Sequence, residues 1–486
     1  MTHTARILAL TTSVLLACSG DSAPKAAPKT DPKAAPPPAP EAKPEAKPEA
    51  KPDTKVEAKA EGADADEGSA LPPPATPPSS EPGPAFFAVD KKGIVRLDKG
   101  KFSAIKGGPD ALIKNLHVAA DGALWVLGFE TIYRLPKLDG DSFKEIAKGG
   151  FQETGSIDDF HVVSEKDIWT AGFGGVAHWD GKGWTKEEKA AIGAGDDLLN
   201  GIAVDAEGKV WVSSSNRIHV KDKGAWSTLD LSKVKSGQLF MEGIERAADG
   251  TLFALSSSSL IKLGPGAGEA QAVKLGGGSF PSYSDMAIGP DGTIAVRNLF
   301  DLVIASPGGG KAKVWKKKDY MSEDIRSLAV DASGRVWIAS KIGAAILGPG
   351  DAKVEWPSGT VPELAGEIET IAVVGTGPAE LPAVGPVKTG GLTGKILKGG
   401  SGVANLEIEL CPSPGMMFSK SPCADSSVKF SGKTDDQGVW KFDGVPLGVY
   451  GIAIKSEGKW KITLGTELGG EMKEGQVYDV GSLALD

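Results

Sequence analysis

A short motif recurs through the middle of this 486-residue chain at an almost constant spacing. At residues 120–125, for example, it reads Ala-Asp-Gly-Ala-Leu-Trp. The last position of the motif recurs at intervals of 44, 42, 42, 42 and 42 residues, at Trp125, Trp169, Trp211, Phe253, Ala295 and Trp337. A glycine turn between two apolar runs is typical of a β-hairpin. Because two further apolar runs follow in each repeat, the spacing predicts four-stranded blades of a β-propeller.

The two ends of the repeat region predict how the ring of blades closes. Before the first full repeat, residues 86–89, 94–97 and 102–105 form three apolar runs that correspond to the second, third and fourth strands of a blade. After the last full repeat, residues 368–374 form one further run. Together they complete a seventh blade and leave no free edge. The fold class is therefore predicted to be all-β, with a seven-bladed β-propeller at 86–377; an irregular third repeat leaves six or eight blades open.

The repeat, written Asp-x-x-Gly-x-(Val/Leu)-Trp-(Val/Ile), resembles that of the two-component-regulator propellers. It is also similar to the repeats of streptogramin-lyase-like and NHL propellers. The resemblance implies the fold but little about function, because these families include sensors, scaffolds and a few enzymes. The tryptophans of the motif are expected to pack between neighbouring blades. Four other tryptophans are expected to lie on outer strands: Trp184, Trp226, Trp315 and Trp356.

The segment before the propeller has a composition that opposes folding. Residues 21–85 hold 17 of the 33 prolines and no aromatic residue. Such a segment cannot bury enough apolar surface to offset the entropy lost on ordering. Residues 18–85 are therefore predicted to be a disordered tether. Ahead of it, Arg6 and an apolar run read as an export signal over residues 1–17.

The end of this signal, Leu-Leu-Ala-Cys at residues 15–18, resembles the lipobox of bacterial lipoproteins. The resemblance implies cleavage before Cys18, diacylation of its thiol and acylation of its new amine. Two or three acyl chains give stable membrane anchoring. Ser19, by the enterobacterial sorting rule, implies attachment to the outer membrane. Ordinary signal cleavage beside an incidental cysteine is the alternative.

The last part of the chain has a different pattern. After a proline-containing linker at 378–389, apolar and polar residues alternate over 390–486, which predicts a small β-sandwich. Two stretches within residues 434–450, TDDQGVWKF and VPLGVY, resemble the carboxypeptidase-regulatory-like, or transthyretin-like, domain. The resemblance implies a stalk, spacer or adhesion module. Cys411 and Cys423 lie in this domain, and in an exported protein we expect them to form a disulfide.

A candidate ligand-binding surface follows from the predicted topology. In each blade, the loop between the second and third strands and the loop to the next blade emerge on one face of the ring. Aromatic side chains on these loops could stack on sugar rings or hold a peptide. The alternative is that several of them turn inward and fill the loops. The candidate residues are Phe129, Phe151, Phe173, Phe280, Tyr283, Phe300 and Tyr320.

Charge and motifs argue against several classes of function. A net charge of −9, without a basic cluster among the globular residues, argues against nucleic-acid binding. No Ser-His-Asp arrangement, HExxH, Walker loop or paired-carboxylate motif can be read, so no catalytic residue, metal ligand or cofactor is predicted. His117 and His161 fall on inner strands of adjacent blades and could approach each other, although inheritance within the repeat accounts for them.

The sequence therefore predicts a monomeric, lipid-anchored envelope protein that acts as a non-catalytic binding or scaffold module through its propeller loops. Its expected partners are the membrane, through the anchor, and a glycan, peptidoglycan or protein ligand. Two alternatives stay open: a propeller enzyme of lyase or lactonase type, and a sensor that works with a separate membrane partner.

Overall fold

The computed structural model describes the chain from residue 79 onward, with several gaps. The segments outside the description are 1–78, 110–111, 120, 150–154, 232–233, 235–239, 264–269, 274, 276–282, 299–300, 307–311, 317–318, 321–324, 351, 416–420, 425, 463–467, 469–471 and 486. The predicted signal peptide, Cys18 and most of the predicted tether therefore lie outside the described residues.

Seven four-stranded antiparallel sheets form the blades of a β-propeller, and we number them in chain order. Blade 1 contains the first three strands, β1 (Pro82–Val89), β2 (Gly93–Asp98) and β3 (Lys101–Ala104). Blades 2 to 4 contain β4 (Ile113–Val118), β5 (Leu124–Gly128), β6 (Thr131–Leu135), β7 (Lys144–Lys148), β8 (Asp159–Ser164), β9 (Asp167–Gly172), β10 (Gly175–Trp179), β11 (Trp184–Glu188), β12 (Leu199–Val204), β13 (Val210–Ser214), β14 (Ile218–Asp222) and β15 (Ala225–Thr228).

The remaining propeller strands follow the same order from the centre of the ring outward. Blades 5 to 7 contain β16 (Met241–Arg246), β17 (Leu252–Ser256), β18 (Ser259–Leu263), β19 (Gln271–Val273), β20 (Tyr283–Ile288), β21 (Ile294–Asn298), β22 (Asp301–Ala305), β23 (Lys313–Lys316), β24 (Ile325–Val330), β25 (Val336–Ser340), β26 (Gly343–Leu347) and β27 (Lys353–Pro357), and β28 (Ile368–Gly375) is the inner strand of blade 1. In the described loops there are two single-turn helices, α1 (Lys189–Ile192) and a 3-10 helix (Pro362–Leu364).

The ring closes through strands from both ends of the repeat region. β28 pairs antiparallel with β1, which places Phe87 opposite Ile371. The seven-bladed architecture predicted from the 42-residue period is therefore confirmed. β1 starts at Pro82, ahead of the predicted start at residue 86, because its pairing with β28 extends to Gly375. Ring closure therefore pairs β1 on both sides, with β28 and β2, and does not leave it as an edge strand.

The repeat motif is explained by a hydrogen-bonded turn at the start of each second strand. The carboxylate of Asp205 accepts the backbone N–H of Lys209 at 2.9 Å and the indole N–H of Trp211 at 2.9 Å. Asp331 holds Trp337 in the same way, also at 2.9 Å. The glycine of the turn has a positive φ, which a residue with a side chain adopts only at a steric cost. The motif therefore orients the tryptophan as well as forming the hairpin.

The motif tryptophans pack between blades, as the repeat predicts. Trp125, Trp211 and Trp337 are fully buried, and Trp169 is nearly so. Trp337, for example, belongs to a cluster that includes residues of blade 1. The four other tryptophans lie on the outermost strands of blades 3, 4, 6 and 7, also as predicted.

The C-terminal part of the chain is a β-sandwich of two four-stranded sheets. One sheet joins β29, β30, β33 and β36, and the other joins β31, β32, β34 and β35. Their bounds are β29 (Thr389–Lys398), β30 (Ser401–Gly402), β31 (Glu407–Cys411), β32 (Phe430–Lys433), β33 (Val439–Pro446), β34 (Gly451–Ser456), β35 (Lys459–Ile462) and β36 (Val477–Ala484). The predicted disulfide between Cys411 and Cys423 is present, with a Cα to Cα distance of 5.8 Å.

The linker holds the sandwich against the propeller. The indole N–H of Trp356, on the outer strand of blade 7, donates to the carbonyl oxygen of Pro382 at 3.3 Å. The backbone N–H of Lys388 donates to the carbonyl oxygen of Gly359 at 2.8 Å. Ala365, in the loop from blade 7 to blade 1, packs into the core of the sandwich. The sandwich therefore lies beside the face of the ring on which that loop emerges.

The described residues contain no helix with the length and hydrophobicity that a membrane span requires.

Candidate functional site

The two faces of the propeller differ in the loops that they carry. One face, the turn face, carries the motif turns between first and second strands. The other, the loop face, carries the turns between second and third strands and the connections from each blade to the next, because the strands of each blade alternate in direction.

Exposed large hydrophobic side chains are concentrated on the loop face. In the part of the propeller that the structure describes there are five of them, each between 41% and 62% exposed. All five lie on the loop face, on four consecutive blades, 2 to 5. We call this set the apolar arc; it consists of Leu112, Phe129, Phe173, Leu198 and Phe240. Such a grouping is unusual for a surface without a partner, where exposed apolar residues are scattered singly.

Backbone hydrogen bonds hold the arc in place. The N–H of Leu198 donates to the hydroxyl of Ser215 at 3.1 Å, in the turn of blade 4. The N–H of Met241, next to Phe240, donates to the carbonyl oxygen of the same serine at 2.9 Å. The N–H of Ser257 donates to the carbonyl oxygen of Phe240 at 2.7 Å. The bond from Met241 to Ser215 joins blade 5 to blade 4, and the other two fix the segments of Leu198 and Phe240 within their own blades.

Lysine side chains accompany the aromatic members of the arc. The Nζ of Lys189 lies 5.1 Å from the ring centroid of Phe173, and that of Lys114 lies 6.0 Å from the ring centroid of Phe129. A cation over a ring face is attracted by the ring quadrupole. Two aromatic members of the arc therefore have a cation beside the ring, and one of these cations, Lys114, also lies 3.9 Å from the carboxylate of Asp158.

A cleft on the same face adjoins the arc. It has a volume of about 400 Å³, and Leu112 of the arc forms part of its wall. Lys91, Lys92 and Lys106 line it together with Glu369. Its size is in the range of small ligand pockets.

The structure divides the seven aromatic residues that the sequence proposed for ligand binding. Phe129 and Phe173 are exposed members of the arc. Tyr283 begins β20 and is buried between blades 5 and 6, and Tyr320 is buried edge-on against Trp315, with ring centroids 6.4 Å apart. The two tyrosine rings are therefore core residues and not exposed surface. Phe151, Phe280 and Phe300 lie outside the described residues.

Three members of the arc were missed from the sequence. Leu112, Leu198 and Phe240 each lie directly before an inner strand, β4, β12 and β16. Phe240 could have been found, because it is an aromatic residue in a predicted inter-blade loop. The two leucines could not, because a leucine beside a strand is most often a core residue.

A second group of polar residues lines the inner strands. The rings of His117 on β4 and His161 on β8 have centroids 6.3 Å apart, so the structure brings together the pair that the sequence left open. In blades 4, 6 and 7 the position that pairs with the motif residue carries only alanine. We call the histidines and the charged residues near them the channel cluster; it consists of His117, Asp159, His161, Glu245, Arg246 and Asp285.

The carboxylates of the channel cluster bond to the backbone of the next blade. Asp159 Oδ2 accepts the N–H of Ile202, on the inner strand of blade 4, at 3.0 Å. Glu245 likewise accepts the backbone N–H of Ile288 in blade 6. The inner strand of each blade is an edge strand, so the backbone N–H groups that do not bond within its own sheet need other acceptors. These side chains therefore connect adjacent blades at the centre of the ring.

Burial changes the protonation of the channel cluster. It lowers the pKa of His117 to about 4 and that of His161 to about 3, because the imidazolium form loses hydration. It raises the pKa of Asp159 to about 7 and that of Asp285 to about 6. Burial also raises the pKa of Glu245 well above its usual value. Near neutral pH the histidines are therefore uncharged.

The other two propeller histidines described have local structural contacts. His178 stacks on Trp169, with ring centroids 4.1 Å apart, and its Nε2 lies 2.8 Å from Asp167 Oδ1. His219 is buried between Ser214 and Thr228, each at 3.1 Å. Across the described segments, no group of three or more His, Cys, Asp or Glu side chains is arranged to hold a metal ion.

A comparison with protein-family profiles matches no family. A comparison with curated proteins matches none. Among solved structures, a streptogramin B lyase is similar at 16% identity over 51% of this chain and 84% of that one, with a TM-score of 0.43.

Two larger structures are also similar. The extracellular domain of a protein described as a hybrid two component system of B. thetaiotaomicron shares 12% identity over 82% of this chain and 54% of that one, with a TM-score of 0.45. PorZ, a surface component of the type-IX secretion system of Porphyromonas gingivalis, shares 13% identity over 76% of this chain and 62% of that one, with a TM-score of 0.43. At these identities and TM-scores, the similarity does not indicate what this chain binds.

Proposed function

We propose that this protein is a non-catalytic binding module that captures a protein partner through the apolar arc. The observation that supports this proposal is the confinement of the exposed large hydrophobic side chains of the described propeller to one face and four consecutive blades. Exposed apolar surface of this kind marks interaction sites.

The chemistry of the arc favours a protein segment over a sugar. Its members are phenylalanines and leucines, which have no polar tip that could bond to a hydroxyl group. Lys114 beside Phe129 already pairs with Asp158, so the partner segment is expected to be mainly apolar. An apolar surface of this kind suits an extended peptide or a partner's loop, with the cleft next to Leu112 as a pocket for one side chain.

The channel cluster supports a binding role over an enzymatic one. Asp159 and Glu245 already accept backbone N–H groups of neighbouring blades. The ring of His117 lies edge-on to Phe160, with centroids 6.2 Å apart. These contacts give the polar side chains a structural role in joining blades, so no catalytic group is assigned to them.

Photo-crosslinking tests the binding face. A benzophenone amino acid at Leu198 should give a discrete protein adduct in cells, because this position lies in the middle of the arc. The matched control is the same substitution at Val477, which is similarly exposed but lies on the sandwich. Adding Phe129→Ser and Phe173→Ser should reduce the adduct at least about tenfold, since two aromatic side chains that become buried on binding typically contribute more than 1.4 kcal/mol. Equal adducts at both positions, or none at Leu198, would contradict the proposal.

We also propose that the propeller is attached to the outer membrane through lipid on Cys18 and acts as a monomer. The support is the lipobox-like sequence at residues 15–18, followed by a proline-rich segment of low hydrophobicity. In this arrangement the sandwich, which resembles the carboxypeptidase-regulatory-like domain, acts as a spacer module fixed to blade 7.

Lipid attachment is tested by metabolic labelling with palmitate. Cys18→Ser should abolish the label and release the protein from the membrane fraction, because the acceptor thiol is gone. The control is the double variant Cys411→Ser and Cys423→Ser, which removes the disulfide and should keep the label. Label that persists in Cys18→Ser would rule out the anchor.

A further inference from the structure

Arg246 departs from the repeat at the end of an inner strand. It is opposite Leu252, the first residue of the second strand in its blade. In blades 2, 3, 4, 6 and 7 the residue that pairs with the start of the second strand is a β-branched aliphatic: Val118, Val162, Val204, Ile288 and Val330. Blade 5 therefore places a guanidinium where its neighbours place core side chains.

Part of this guanidinium is buried without a hydrogen-bond partner. Among the described residues, neither Nε nor Nη2 of Arg246 has an acceptor, although both atoms are buried. These two N–H groups lie on the same edge of the guanidinium. Arg134 uses that edge to hold a carboxylate, with Nε and Nη2 at 3.1 and 2.7 Å from Asp121 Oδ2. The free edge of Arg246 therefore has the donor geometry of a carboxylate site.

The nearby acid is not available to fill this edge. Asp205 attracts Arg246 electrostatically, but its oxygens already accept from the N–H groups of Lys209 and Trp211 and from a further backbone N–H. Burial lowers the pKa of Arg246, as expected for a cation that has lost hydration without gaining a close counter-ion. An unpaired buried charge is costly, so an external acceptor is favoured.

We propose that a small carboxylate anion binds at the turn-face end of the inner strands between blades 4 and 5, held by the Nε and Nη2 edge of Arg246. The Arg246 side chain as a whole is partly exposed, so the guanidinium can be reached from solvent. A singly charged carboxylate suits the site better than a doubly charged phosphate, because Asp205 lies nearby. The site is on the face opposite to the apolar arc and does not depend on the proposed function.

Thermal unfolding of the full chain in sodium acetate and in sodium chloride of equal ionic strength tests this site. Acetate should raise the Tm of the wild type by about 3 °C when its concentration is about 100 times its dissociation constant. Arg246→Val should raise the Tm in chloride, since it restores the aliphatic residue of the repeat, and should remove the response to acetate. Arg246→Lys keeps the charge but loses the two-donor edge, so its response should be at least halved.

The control variant is Arg217→Val, which removes an exposed arginine of blade 4 and should keep the acetate response. A wild-type Tm that does not distinguish acetate from chloride would overturn the proposal, because water would then satisfy the edge. An unchanged acetate response in Arg246→Val would overturn it as well. A lower Tm of Arg246→Val in chloride would show that the guanidinium already has a partner, with the same consequence.

Discussion

Replacing Trp337 with alanine is expected to lower the free energy of unfolding by about 3–5 kcal/mol, the usual cost of removing a large buried aromatic side chain. Trp337 is fully buried between blade 7 and blade 1, and its ring lies 6.5 Å from that of Phe87. The substitution also leaves Asp331 without its indole donor. Because blade 1 is completed by strands from both ends of the repeat region, this interface is part of ring closure.

The matched control is Trp211→Ala. Trp211 occupies the same repeat position between blades 4 and 5, and it is also fully buried and bonded to an aspartate. Chemical denaturation should give similar losses for the two variants. Hydrogen exchange should separate them, since only Trp337→Ala should increase exchange in β1 and β28. A loss below about 1 kcal/mol for Trp337→Ala, a value typical of surface substitutions, would refute the packing role.

The channel cluster predicts opposite pH dependences for two substitutions. Asp159 has its pKa raised by burial from 3.8 to about 7. Its contribution to stability is therefore fully present below pH 3.8 and is lost as the pH rises through about 7. Asparagine at this position can still accept the N–H of Ile202 but does not titrate. Relative to the wild type, Asp159→Asn should gain about 2 kcal/mol between pH 5 and pH 7.

His161 shows the reverse behaviour. Burial lowers its pKa from 6.5 to about 3, with further lowering by His117 and Arg246. Its contribution is therefore fully present above pH 6.5 and is lost as the pH falls towards 3. His161→Ala introduces the residue that blades 4, 6 and 7 carry at this position. Relative to the wild type, this variant should gain about 2 kcal/mol between pH 6 and pH 4.

Urea denaturation at half-unit pH steps measures both effects in the same buffers. In the wild type the two contributions offset each other between pH 4 and pH 6.5, so each variant reveals one of them. Stability curves of the variants that run parallel to the wild-type curve would show that these side chains titrate as exposed groups. That result would also remove the argument that the cluster joins blades in a buried setting.

Much of the architecture could be predicted because it depends on local and periodic signals. A glycine turn between apolar runs specifies a hairpin wherever it occurs. The constant interval of 42 residues then counts the blades. Ring closure could also be predicted, since the three strands at one end of the repeat region and the single strand at the other end together make one four-stranded blade.

The binding surface could be predicted from the sequence only in part. Phe129 and Tyr283 are both aromatic residues near inter-strand loops, yet the first is exposed and the second is buried between blades. Nothing in the local sequence distinguishes them, because the exposure of an aromatic side chain depends on whether residues of a neighbouring blade cover it. The exposed leucines of the arc were missed for the same reason.

The sequence by itself determined the all-β class, the repeating blades and the positions of the packing tryptophans, since each depends on spacing along the chain; the disulfide pair followed from the inferred export of the protein. Only the tertiary structure decided which apolar side chains remain exposed as the arc. It also decided that Asp159, Glu245 and the two histidines meet at the inner strands, and that one edge of Arg246 is left without an acceptor. These features arise between blades, where residues more than 40 positions apart come into contact, and periodicity does not encode them.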